Sequence, residues 1–157
     1  MRCAGVQSGC RCIVGAGMNI ASVAGDNERR VRDFFAAWGQ NFVQFCDSFP
    51  KIMSEECLLV QSGIPDVRGP DQAIALLRAG HAHQGIETIR VELLQIIATD
   101  RCVVSERIDH LLKADKHLII SIPVAGVMDF EGGKIVGWRE YFDSKLMDGL
   151  PGARLLA

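Results

Sequence analysis

The 157-residue chain carries 17 Lys and Arg against 19 Asp and Glu, a formal net charge of −2. That length suits one ordinary domain with room for a core and a ligand cavity, and the scattered charge offers no basic stripe to follow a phosphate backbone, so no nucleic acid partner is expected. No apolar run approaches the roughly 20 residues of a membrane-spanning helix, and residues 1–17 lack the apolar core of a secretory signal, so we expect a cytoplasmic protein with no membrane partner.

Cys3, Cys10 and Cys12 sit in a Gly-rich leader. We expect residues 1–25 to be disordered, with Met18 as an alternative start, and residues 26–157 to form a single domain. Cys46, Cys57 and Cys102 are isolated from one another, and neither group has the paired CxxC spacing of a zinc site. The expectation is three small buried hydrophobes, with no metal and no cofactor.

Asp26 or Asn27 can cap a helix whose apolar positions Val31, Phe34, Phe35 and Trp38 follow helical spacing, interrupted at Gly39. A short helical stretch from Phe42 to Phe49 should stop at Pro50, because proline disfavours helix in the residue before it. Leu58 to Ser62 reads as a strand. Gly69-Pro70-Asp71 opens a further helix, Gln72 to about His83, with proline at its acceptable place near the start. Four strand-like runs follow: Glu87 to Ile97, Arg101 to Leu112, His117 to Phe130 and Lys134 to Asp143. Short polar or Gly-bearing turns separate them, as antiparallel neighbours require. Helices followed by a meander indicate an α+β fold, and strong curvature would wrap the sheet and helices into a cone around an internal pocket.

Alternation along the second run places Val103, Ser105, Arg107, Asp109 and Leu111 on one face. If Lys113-Ala114-Asp115-Lys116 closes a two-residue hairpin, Arg107 lies opposite Ile122 and Asp109 opposite Ile120. If Glu131-Gly132-Gly133 forms a three-residue turn with Gly133 left-handed, Val124 faces Glu140 and Gly126 faces Trp138. Arg107, Asp109 and Glu140 then share a face with Ile120, Ile122, Val124, Met128, Val136, Trp138 and Phe142. Arg107 and Glu140 would be two strands apart, about 10 Å across the sheet, and offset by two residues along it. A one-residue change in either loop would send Glu140 to the opposite face.

Two carboxylates around one Arg in an apolar pocket need not titrate alike, since burial raises a carboxyl pKa and the guanidinium lowers it. One can hold a proton while the other accepts one, which is the requirement for concerted acid–base chemistry. The same residues also suit a buried ion pair that only fixes the fold. His81 and His83, two apart on a helix, point to different faces and do not make a shared metal site. His110 alternates away from the Arg107 face, and His117 sits near a turn. Arg139, Tyr141 and Asp143 occupy the outer face of the last strand, suited to cross-strand or subunit contacts.

Ser105-Glu106-Arg107-Ile108-Asp109, Gly126-Val127, Gly133-Lys134-Ile135 and Gly137-Trp138-Arg139-Glu140-Tyr141-Phe142-Asp143 together resemble the limonene-1,2-epoxide hydrolase family. That family is a branch of the nuclear-transport-factor-2-like (cystatin-like) and SnoaL-like proteins, and the likeness covers about residues 26–147. The resemblance implies N-terminal helices packed on a strongly curved, mixed, mostly antiparallel sheet around an apolar pocket. It also implies a homodimer. In the family an Asp-Arg-Asp constellation acts in one step, one Asp activating water with help from a Tyr and an Asn, the other protonating the epoxide oxygen, and the Arg bridging both. By position, Arg107 takes the bridging role, Asp109 the acid role, and Glu140 the place of the water-activating Asp. The Tyr position falls on Leu59, which cannot hydrogen-bond through its side chain, and the Asn position on Gln61, which can.

The resemblance thus implies a cofactor-independent hydrolase acting on a small apolar epoxide. Catalysis would fall to Arg107, Asp109 and Glu140, with Leu59, Gln61, Ile122, Val124, Met128, Trp138 and Phe142 around the substrate or water. An isomerase, dehydratase or polyketide cyclase using the same pocket is the alternative, favoured by Leu59. A non-catalytic small-molecule binding module is the third reading.

Overall fold

The computed structural model describes residues 20–148 and 150. Two helices open it, α1 (Ile20–Trp38) and α2 (Phe42–Ile52), then strands β1 (Met53–Gln61) and β2 (Ile64–Arg68), helix α3 (Gly69–Gln84), and strands β3 (Thr88–Ala98), β4 (Cys102–Leu112), β5 (Leu118–Glu131) and β6 (Lys134–Tyr141). A single 3-10 turn, Ser144–Met147, follows. Among the described residues no helix is long and apolar enough to cross a membrane.

The strands form one sheet in the order β2-β1-β6-β5-β4-β3. Every pairing is antiparallel except β1 with β6, which is parallel and makes the sheet mixed. Each neighbouring pair carries a register shift, and such bulges bend a sheet and increase its twist. α1 packs on β3 and β4, and α3 packs on β1, so the helices cover the face of the sheet toward which Arg107 and Trp138 point. Val31, Phe34, Phe35 and Trp38 of α1 are all buried and meet Phe45, Phe49 and Trp138 in one aromatic cluster. Its ring pairs include edge-to-face contacts such as Phe34 against Trp38, with centroids 5.1 Å apart, and stacked ones such as Trp38 against Phe49.

Several expectations are revised by this structure. α1 begins at Ile20, so Asp26 and Asn27 lie inside it instead of capping it, and residues 20–25 are helical where a disordered leader was expected; residues 1–19, with Cys3, Cys10, Cys12 and Met18, lie outside the described residues. Asn27 is buried because its amide donates to the carbonyls of Thr99 (3.3 Å) and Asp100 (3.1 Å), pinning α1 to the β3–β4 turn. α2 is capped by Asn41, whose side chain accepts from the Gln44 N–H at 2.9 Å, and runs through Pro50 to Ile52. Proline costs one backbone bond there, while Phe49 and Ile52 both gain burial. β2 was not anticipated; it is a five-residue edge strand, where its Pro65 is tolerated. Cys46 and Cys57 are buried free thiols, whereas Cys102 is only half-buried.

The two hairpins differ from expectation in register but not in parity. The β4–β5 turn holds three residues between Lys113 and His117, with Lys116 left-handed at φ 67°, and Ile119 is an extra residue on β5. Arg107 therefore faces Val124 and Asp109 faces Ile122, each displaced by two positions. The β5–β6 turn is a two-residue loop, with Gly132 and Gly133 both at positive φ (57° and 78°), and a bulge leaves Val136 unpaired. Gly126 consequently faces Glu140 and Met128 faces Trp138. Val136 is exposed, and Ile135 takes the inner position expected for it.

Candidate active site

Because both registers move by two, the three ionisable residues stay on the inner face, and Arg107 and Glu140 remain offset by two residues across β5. The Arg107 guanidinium fills that gap. Nε and Nη2 donate to the two oxygens of Asp109 at 2.9 and 3.0 Å, Nη2 also donates to Glu140 Oε1, and Nη1 donates to Ser105 Oγ at 3.4 Å. Arg107 is fully buried, and Asp109 and Glu140 are each 6% exposed. From the helical side, the Phe35 and Trp38 rings cover the guanidinium, with Cζ 4.7 and 5.8 Å from their centroids. A cation held between aromatic faces and two carboxylates has its desolvation offset from both sides.

Gly126 makes this arrangement sterically possible. It sits on β5 between Ser105 and Glu140, and a β-carbon there would lie 2.7 Å from Arg107 Nη1 and 3.2 Å from Ser105 Oγ. Only a bare backbone lets the guanidinium pass over β5.

Glu140 has a second partner. The parallel pairing of β1 with β6 sets Gln61 beside it, and Gln61 Nε2 donates to Glu140 Oε2 at 2.8 Å. The Ser62 N–H donates to the Glu140 carbonyl at 3.2 Å, which anchors the backbone at the same point. Leu59 pairs with Trp138 two residues earlier on these strands and is buried.

Burial raises the Asp109 carboxyl to about 6, against the Arg107 charge that lowers it, and the Glu140 charge adds to the rise. Burial alone would lower the Arg107 pKa, but the facing Glu140 and Asp109 raise it, so the guanidinium stays charged.

A cavity of about 140 Å³ opens beside the cluster, with Asp109, Glu140 and Gln61 on its wall. Leu59, Ile122, Val124, Trp138 and Phe142 also line it, while α3 contributes Leu77, Gly80 and Gln84. Met128 does not reach it, being packed in the deeper core with Val103 and Trp138. Arg107 lies behind the wall, presenting only its carboxylate partners to the space.

His110 points to the outer face, where its ring nitrogens meet Ser121 Oγ at 2.8 Å and Glu92 Oε2 at 3.0 Å. Arg139 pairs with Asp129 across the outer face, its Nη2 donating to Oδ1 at 3.0 Å. His81 stacks on Phe42 at 4.1 Å, and His83 is exposed. Sequence reasoning assigned no role to Ser105, Gly126 or Gln84. A glycine between two polar inner-face positions was the available signal for Gly126, but it needed the correct register to be read.

Residues 25–150 match the family model described as the limonene-1,2-epoxide hydrolase catalytic domain. A curated Mycobacterium tuberculosis protein, "Epoxide hydrolase EphG", is 29% identical over 97 residues, covering 62% of this chain and 62% of that protein's length. Among solved structures, an M. tuberculosis LEH-like epoxide hydrolase superposes with a TM-score of 0.63 at 26% identity, over 81% of this chain and 90% of that one. A putative SnoaL-like polyketide cyclase from Jannaschia sp. CCS1 has a TM-score of 0.64 at 16% identity, over 81% and 92% of the two chains, and shares the fold.

Proposed function

The chain belongs to the limonene-1,2-epoxide hydrolase family, on a nuclear-transport-factor-2-like fold, and from that premise we propose that it opens a small, largely apolar epoxide by adding water in one step. Arg107 bonded to both Asp109 and Glu140 at the wall of an apolar cavity is the observation that carries this reading.

In the proposed step a water oxygen attacks one oxirane carbon as Glu140 takes a proton from that water. The carbon–oxygen bond breaks, and Asp109 delivers its proton to the departing oxygen, giving a vicinal diol. Asp109 suits the acid role because burial keeps its proton bound up to about pH 6. Arg107 fixes the spacing of the two carboxyl groups and takes no proton. Gln61 orients Glu140 through its N–H, and its carboxamide oxygen is left to accept from the same water. Leu59 supplies no hydroxyl, so the water is held by two groups instead of three.

Incubation of the purified chain with terpene and aryl epoxides in oxygen-18 water tests the reading. The expected product is a diol carrying one labelled oxygen, abolished by Glu140→Gln; no diol above background across the panel refutes it. Leu59 favours a second reading, proton transfer without water by an isomerase, dehydratase or cyclase. The Gln61–Glu140 hydrogen bond favours hydrolysis, since it leaves a water-accepting oxygen beside the base. We further propose a homodimer, measurable by light scattering.

A further inference from the structure

The Gln84 side chain is 5% exposed, lines the cavity, and finds no hydrogen-bond partner for either Nε2 or Oε1 among the described residues. Both indole N–H groups, of Trp38 and Trp138, are also without a partner among the described residues, but each offers one donor only, whereas the carboxamide leaves a donor and an acceptor together. Gln84 lies at the end of α3, on the same cavity wall as Ile86 and Leu77. Gly80 and Ile86 lie beside the carboxamide: a β-carbon on Gly80 would meet Gln84 Oε1 at 3.8 Å and Ile86 Cδ1 at 3.4 Å, ordinary contact distances. Ile86 in turn packs with Leu111, Ile122 and Val124, the wall that extends from Asp109. A buried carboxamide with both ends unpaired is costly, and leucine or methionine would fit an apolar wall at less cost.

We propose that Gln84 is a specificity-determining residue that binds a hydroxyl group carried by the substrate away from its oxirane, so that the preferred substrate is an epoxy alcohol and not a bare hydrocarbon epoxide. This rests on the epoxide hydrolase reading above. A single hydroxyl satisfies both ends of the carboxamide, accepting from Nε2 and donating to Oε1, whereas a carbonyl would satisfy only Nε2. An anionic group is disfavoured, because Asp109 and Glu140 are the charged residues on the cavity wall among those described, and both are acidic. A site built to hydrogen-bond a hydroxyl discriminates against the analogue lacking it, since the protein's own polar group is then left buried and unpaired.

The test uses matched cyclic epoxides, one a hydrocarbon and one bearing a hydroxyl several bonds from the oxirane. The full chain should favour the hydroxyl-bearing member in kcat/KM by about tenfold, one hydrogen-bonded pair's worth, and Gln84→Leu and Gln84→Met should each erase that ratio. A wild-type ratio of one or below, or a ratio that survives in folded variants, overturns the proposal. A second arm needs no epoxide chemistry: binding of the saturated cyclic alcohol and its parent hydrocarbon is followed by the fluorescence of Trp38 and Trp138, which both line the cavity. Tighter binding of the alcohol to the wild-type chain supports the Gln84 assignment even if no epoxide is turned over. Equal or weaker binding overturns it, including where both variants fail to fold.

Discussion

A β-carbon on Gly126 would lie 2.7 Å from Arg107 Nη1, and that one missing atom is what allows a guanidinium on β4 to reach a carboxylate on β6. The neighbour is the charged end of a side chain already bonded to Asp109, Glu140 and Ser105, so it cannot yield without breaking one of those bonds. Gly126→Ala should destabilise the fold by about 1–3 kcal/mol, as overpacking does. It should also lower kcat by about 100-fold by displacing one carboxyl group from the other. Thermal unfolding and single-substrate kinetics measure the two effects; a variant with wild-type kcat would mean the bridge is dispensable.

The Asp109 carboxyl has a definite pH signature. Its folded pKa, about 6, lies above the unfolded value of about 3.9, so between those limits the folded chain binds more protons than the unfolded one. Its contribution to stability is therefore full below about pH 4 and is lost as the pH rises through 6, a change on the order of 2 to 3 kcal/mol. Urea unfolding from pH 4 to 7 should show that slope, and Asp109→Asn should flatten it. Diol formation should decline above about pH 6 as the acid loses its proton.

Gln61 acts through Glu140. Gln61→Leu removes the 2.8 Å donor to Glu140 and the water-accepting oxygen together, and should lower kcat by about 10- to 100-fold with a smaller change in KM. Gln61→Glu would set a second carboxylate beside Glu140 and should be at least as damaging. Equal losses in kcat and affinity for an inert substrate analogue would instead point to a packing role.

Asn27 lies far from this chemistry. Asn27→Ala leaves the carbonyls of Thr99 and Asp100 without their buried donor, so it should cost about 1–3 kcal/mol in chemical denaturation. Turnover per folded molecule should be unchanged.

Alternation alone put Arg107 and Asp109 on one face, because the pleat sets parity within a strand; that Glu140 shares the face rested on assumed turns and held because the slip in each hairpin is even. The pairing partners were not legible. Each hairpin combines a turn one residue different from expectation with a one-residue bulge, at Ile119 and at Val136, and the two changes sum to an even shift. Bulges leave little trace in a run such as Lys134 to Tyr141, where both Ile135 and Val136 are apolar and either could face inward. β2 contains Pro65, which argues against a strand interior, and Gly25-Asp26-Asn27 read as the approach to a helix although they lie within α1. The parallel contact of β1 with β6, which delivers Gln61 to Glu140, joins distant segments and has no local signal at all.

Arg107's simultaneous bonds to both carboxyl groups carry a consequence for charge. In the proposed step Glu140 gains the proton that water loses and Asp109 gives one up, so negative charge passes from one carboxyl to the other while the guanidinium remains bonded to both. The sum over the three side chains is zero before and after. The step therefore calls for no counterion at the mostly apolar wall of the cavity, where an unbalanced charge would be costly.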